Sequence, residues 1–138
     1  MTIRRILVGV DGSEHADRAV RWAADLADTT GADVVVAHAL GLLFRSGDEM
    51  VASDAHREEI QRLLEDEWSA PLRERGVSHR AELRDGNPVT VMLELADECD
   101  ADLLVMGSRG AGGFPALLLG SMSTQVAQHS TRPVVIVP

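Results

Sequence analysis

Short continuous apolar runs alternate along this chain with stretches whose apolar residues recur at helical spacing. Ile6, Leu7 and Val8 open a strand that stops at Val10-Asp11-Gly12-Ser13. Ser13 stands where a helix cap is needed, because Ala16, Ala19, Val20, Ala23 and Ala27 then repeat on one helical face. Gly31 punctuates the chain, and Val34 to Ala39 form a second apolar strand. A strand, a helix and a strand in about forty residues are the repeating unit of a parallel sheet.

Gly41 to Asp54 lacks periodicity and reads as a connection or flap with a short helical turn. A helix starting at Ser53 or Asp54 is expected to bury Ile60, Leu63, Leu64, Trp68 and Leu72, with Pro71 bending or restarting it near its end. Val77, His79, Ala81 and Leu83 alternate with Ser78, Arg80, Glu82 and Arg84, which marks a strand wet on one face, near a sheet edge. Asn87 or Gly86 starts a helix with Val89, Met92, Leu93, Ala96 and Cys99 on its apolar stripe. It leads into the buried-strand run Leu103 to Met106, which ends at Gly107. After a glycine-rich connection, Ser121 is expected to cap a short helix carrying Met122, Val126 and His129 inward. Val134 to Val137, introduced by Pro133, form the last strand.

The pattern predicts an α/β fold: an open five-stranded parallel sheet with helices on both faces, Rossmann-like, in a single domain over 1–138. A chain of 138 residues suits one ordinary core. Strands one, two and four read as sandwiched between helix layers and strand three as marginal, which fits the order 3-2-1-4-5. That order also leaves strand five at an edge, although Val134-Val135-Ile136-Val137 carries neither charge nor polar alternation. Such an edge invites pairing with another chain, so homodimerisation through this strand is expected.

Charge narrows the functional classes. Thirteen basic residues, all arginine, stand against 22 acidic ones for a net charge of −9. This balance argues against nucleic acid and anionic membranes as partners, and the absence of lysine removes any lysine Schiff base or phosphate-loop lysine. Small anions remain possible ligands, since backbone amides can hold them. Lone Cys99 precludes an internal disulfide, no export segment opens the chain, and its apolar runs fall short of the ~20 residues of a membrane helix, so a cytoplasmic setting is expected. His15, His38, His56, His79 and His129 lack metal-ligand spacing. Cys99, Trp22 and Trp68 read as packing residues. The acids Asp97, Glu98, Asp100 and Asp102 lack a calcium-loop pattern.

In an open parallel sheet, ligands bind beyond the carboxyl ends of the strands where the order reverses. Order 3-2-1-4-5 puts that crevice between strands one and four, bordered by Asp11-Gly12-Ser13 and Gly107-Ser108-Arg109-Gly110. Asp11 suits ribose hydroxyls and, taken alone, a helix cap equally well. Gly107, two residues, Gly110, nine residues and Gly120-Ser121 form a longer signal, in which bare amides and the Ser121 and Ser123 hydroxyls cradle polyphosphate at a helix start. Charge balance then asks only for Arg109 and a divalent cation. Neither a dinucleotide fingerprint nor GxxxxGK[ST] is present.

This glycine spacing, with Val10-Asp11-Gly12-Ser13 and the terminal Pro133 to Val137, resembles the universal stress protein family, in its ATP-binding branch, over essentially the whole chain. The resemblance implies ATP as ligand, with Mg, and a nucleotide-dependent regulatory role in stress response. It implies Asp11 at the ribose, the Ala39 backbone at the adenine edge, and Met106 and Gly107 as the floor beneath the nucleoside. Gly110, Gly120, Ser121 and Ser123 match phosphate-contacting positions, and Met122 a backbone position in the same loop. Gly12, Ser13 and Arg109 complete the expected site. The family has no single shared reaction. A slow ATPase in the same pocket and a dimeric scaffold with incidental nucleotide, docking a regulatory protein, are the alternatives.

Overall fold

The computed structural model of the protein describes residues 2–41, 45–46, 49–50, 54–109 and 119–138. Five strands, β1 (Arg5–Gly9), β2 (Asp33–Ala39), β3 (His79–Arg84), β4 (Leu103–Gly107) and β5 (Val134–Val137), form one sheet. Every pairing is parallel, and the spatial order is 3-2-1-4-5, as the hydrophobic pattern predicts. Among the described residues five α-helices accompany them: α1 (Glu14–Thr30), α2 (Asp54–Leu63), α3 (Ala70–Glu74), α4 (Pro88–Glu98) and α5 (Ser121–His129).

Strand periodicity of two sorts the core into two layers. Ile6, Val8, Val10, Val34, Val36, Leu103 and Val105 face α1, where Ala16, Ala19, Val20, Ala23 and Ala27 offer a smooth surface together with Leu64 and Leu72. Leu7, Val35, Ala37, Leu104 and Met106 face the opposite way, onto Val91, Met92, Leu95, Ala96 and Cys99 around α4 and Val126 of α5. Because β1, β2 and β4 are buried on both faces, they read as unbroken apolar runs.

Side chains cap two of the helices as the sequence suggests. The Ser13 Oγ accepts the Ala16 N–H at 3.2 Å, and the Asn87 Oδ1 accepts the Val89 and Thr90 N–H groups at 2.9 and 3.3 Å. The start of α5 departs from expectation, because Gly120 rather than Ser121 holds the cap position and, among the described residues, no side chain caps it.

Other expectations are corrected. The segment after Gly41, read as a connection, holds two short strands, Arg45–Ser46 and Glu49–Met50, paired antiparallel; its other positions up to residue 53, and with them the expected helical turn, lie outside the described residues. Ile60 and Leu63 are only half-buried; the contribution to the core comes from Leu64, which opens a π-helical turn over Leu64–Trp68, and from Leu72 after the restart at Pro71. Ser69 donates its hydroxyl to the Leu64 carbonyl at 2.7 Å across that turn. His129 is exposed rather than inward, and Trp22 is 37% exposed on the outer face of α1. Cys99 is a buried thiol whose pKa is pushed up by burial, as its place on the α4 stripe implies.

Candidate functional site at the carboxyl edge of the sheet

The β1–β4 register pairs Ile6 with Leu103 and Val8 with Val105, so the chain leaves both strands at the same edge. From β1 it enters the turn Val10-Asp11-Gly12-Ser13. The Asp11 Oδ1 accepts the Ser13 N–H at 3.0 Å, closing the turn on itself, and Gly12 adopts φ +82°, where a side chain would be strained. A Cβ at Gly12 would also stand 2.8 Å from the indole of Trp68.

Trp68 in turn stacks edge-on against His38, with ring centroids 5.2 Å apart, and the His38 Nδ1 lies 2.6 Å from the Val10 carbonyl. The turn is thus braced from behind by Trp68, which the sequence analysis assigned to packing, and by His38, which it only set aside as a metal ligand. Only the glycine at position 12 hinted at a close neighbour, and nothing in the pattern named it.

From β4 the chain enters Gly107-Ser108-Arg109. A Cβ on Gly107 would lie 2.8 Å from the backbone carbon of His15 and 2.9 Å from its oxygen, so the end of β4 touches the first turn of α1 directly. This glycine therefore has a packing duty beyond any ligand role.

The start of α5 returns to the same place. Gly120 donates its N–H to the Ser108 carbonyl at 2.5 Å, and the Ser123 Oγ lies 3.1 Å from that carbonyl and from the Gly120 carbonyl. Ser123 is 2% exposed, so its hydroxyl ties α5 to β4. Ser121, by contrast, is exposed and its hydroxyl accepts from Gln125 at 3.0 Å.

The structure brings together Asp11, Gly12 and Ser13, Met106 and Gly107, Arg109, and Gly120 to Ser123 around the ends of β1 and β4. Ala39 closes β2 one strand over, half-buried and in register with Arg84 of β3, and Met122 packs against the α4-side core. Gly110 lies outside the described residues.

Electrostatics separates the two helix starts that meet here. The amino end of α1 is capped by Ser13 and carries Glu14 and Asp17 in its first turn, so its dipole is already answered. Among the described residues the amino end of α5 has neither a side-chain cap nor an acidic first turn, and its leading N–H groups have no partner within the helix. An acceptor-rich anion meets attraction at α5 and repulsion at α1.

A model of the universal stress protein family matches residues 2–138. This chain belongs to the universal stress protein family. A universal stress protein of Mycolicibacterium smegmatis is 36% identical over 136 residues, covering 96% of this chain and 45% of that protein, so the chain spans about half of that relative's length. A universal stress protein solved in complex with cAMP shares 30% identity with a TM-score of 0.79, covering 100% of this chain and 99% of that one. The Archaeoglobus fulgidus universal stress protein in complex with dAMP shares 26% identity with a TM-score of 0.75 and full coverage of both chains. These likenesses bear out the open parallel sheet with helices on both faces. Among the described residues, no helix is long and apolar enough to cross a membrane.

The acids near the other end of α4, weighed as a cation site from sequence, are engaged elsewhere. Arg132 reaches Asp97 and Asp100 at 3.3 Å each, Arg84 reaches Glu98 at 2.9 Å, and Asp102 accepts backbone N–H groups. Among the described residues, no group of three or more potential ligands is placed to hold a metal ion.

Proposed function

We propose that this universal stress protein is an adenine-nucleotide-binding regulator that holds ATP, with Mg, at the carboxyl edge of its sheet. The observation that carries this reading is the uncapped start of α5, tied to the end of β4 and set across from the Asp11 turn. Family relatives in complex with cAMP and dAMP support an adenine nucleotide as the ligand class.

In this reading the Asp11 carboxylate accepts the ribose hydroxyls while Gly12 and Ser13 hold the turn. The Ala39 backbone meets the adenine edge over a floor of Met106 and Gly107. The phosphates lie against Gly110, Gly120 and the amides of Ser121 and Met122, with Arg109 offsetting charge. Ser123 serves through its tie to Ser108. A Cβ at Gly120 would lie 3.3 Å from the Arg109 Cα, so a bare backbone suits close phosphate approach there. Mg, when bound, supplies charge neutralisation between phosphate oxygens.

Calorimetry with ATP and Mg tests this. Saturable binding is expected, and Asp11→Ala is expected to weaken it about tenfold, the worth of a charge-assisted hydrogen bond. Gly120→Val should abolish it while circular dichroism stays native. A folded wild-type protein that binds no ATP, cAMP or dAMP at millimolar concentration overturns the reading.

The same reading includes a homodimer through β5. This strand pairs only with β4 among the described residues, and its run Val134 to Val137 offers nothing to repel a second copy. Light scattering should give twice the chain mass, and Val135→Lys should give the monomer. A monomeric wild type at micromolar concentration counts against it.

A further inference from the structure

A cavity of about 310 Å³ opens between the first half of α1 and the π-helical turn, on the side of the sheet opposite Ala39 and Met106. Its floor is apolar: Val10, Ala16 and Val20 are 7%, 5% and 0% exposed. Trp68 forms a wall and is held there from two sides, by the Gly12 turn and by His38. The remaining charge on its lining is of one sign. Glu14, Asp17 and Glu67 border it, and no basic side chain does.

Of those carboxylates, Asp17 is paired with Arg21 at 2.8 Å. Glu14 and Glu67 make no side-chain hydrogen bond or ion pair among the described residues, although Glu67 feels the field of Arg62. A polyphosphate would be repelled here, which separates this cavity from the nucleotide crevice. A bare metal ion finds no use for an apolar floor and an indole. An organic cation uses all three features: apolar groups bury its carbon, the indole attracts its charge, and the carboxylates complement it.

We propose that this cavity binds a small organic ammonium ion, enclosed between Trp68 and the amino end of α1. The Gly12-Ser13 turn borders both this cavity and the nucleotide crevice, but the assignment needs no nucleotide present and rests on Glu14, Glu67 and Trp68, which the nucleotide reading does not use.

The probe is tetramethylammonium chloride, titrated into the ¹⁵N-labelled full chain without nucleotide. Saturable shifts are expected at the amides of Gly12 and Val20 and at the indole N–H of Trp68. The uncharged tert-butanol, of nearly the same shape, should bind at least fivefold more weakly. The Glu14→Gln, Glu67→Gln double variant should weaken tetramethylammonium binding about tenfold, about threefold for each exposed charge removed. Both changes preserve side-chain shape, and the amide spectrum reports whether the variant is folded. Equal shifts in sodium chloride, equal affinity for tert-butanol, shifts spread along the acidic face of α2, or a double variant that binds as well as the wild type would each overturn the assignment.

Discussion

The two ends of this sheet are built from the same strands by different means. At the amino edge, side chains close the backbone. Asp102 accepts the Arg4 and Arg5 N–H groups at 2.8 and 3.0 Å, Arg5 donates to the Cys99 carbonyl at 2.9 Å, and Arg132 donates to the Ala101 carbonyl at 2.5 Å. At the carboxyl edge the β1 side is tied by Asp11, Ser13 and His38, whereas the start of α5 is left without a side-chain cap among the described residues. Glycines stand at 12, 107 and 120. The contrast teaches where a parallel α/β domain can place stability and where it must keep groups uncommitted. An edge whose polar groups are already paired has nothing left for a ligand.

The largest expected effect comes from putting a side chain where the open edge excludes one. Gly107→Ala would set its Cβ 2.8 Å from the His15 backbone, so α1 must shift off β4. We expect a loss of about 3 kcal/mol in urea denaturation, the upper end of overpacking penalties, together with weaker ATP binding because Ser13 moves with α1. Unchanged stability would show that the close approach of α1 and β4 is not demanded by the fold.

Opening the closed edge should cost somewhat less and leave the other end untouched. Asp102→Ala removes the acceptor of two backbone N–H groups, one exposed to water and one part-buried, and is expected to lose about 1 kcal/mol, with ATP affinity unchanged. The pH dependence has a definite sign. The Arg4 and Arg5 N–H groups hold the Asp102 carboxyl below its usual range, so its contribution is complete above the unfolded value of about 3.9 and is lost as pH falls through the lower folded value. The wild type should therefore lose stability steeply in acid and Asp102→Ala less so. Parallel acid profiles for the two proteins would break the comparison.

Much of this contrast was legible in the sequence, for reasons that differ by element. Strands β1, β2 and β4 are apolar on both faces, and that is a property of composition, so their central place and the order 3-2-1-4-5 followed. Ser13 and Asn87 announced their caps because capping is local. Of the glycine spacing after β4, Gly107 and Gly120 come together near the end of that strand, while Gly110 lies outside the described residues. What could not be read depends on tertiary approach. The brace of His38 and Trp68 behind Gly12 joins three residues that are far apart in the chain and meet in three dimensions only. The closing of the amino edge by Asp102 and Arg132 looked, in sequence, like a loose acidic cluster. His129 misled because a nine-residue helix shows too few turns for its stripe to be located well.

The smallest effect sharpens the comparison most, because beside the uncapped start of α5 a side chain behaves like those at the closed edge. Ser123 is buried, and its single hydroxyl hydrogen is shared between the Ser108 and Gly120 carbonyls. Ser123→Ala leaves the Ser108 carbonyl its bond from the Gly120 N–H, so no acceptor is orphaned and the loss should be under about 1 kcal/mol. A tie and a phosphate ligand then predict different patterns. If Ser123 only holds α5 against β4, stability falls and ATP affinity drops a few-fold with it. If its hydroxyl turns to meet phosphate, ATP binding falls while adenosine binding and urea stability stay at wild-type values. The buried geometry leads us to expect the first pattern, and calorimetry with both ligands beside a denaturation curve decides between them.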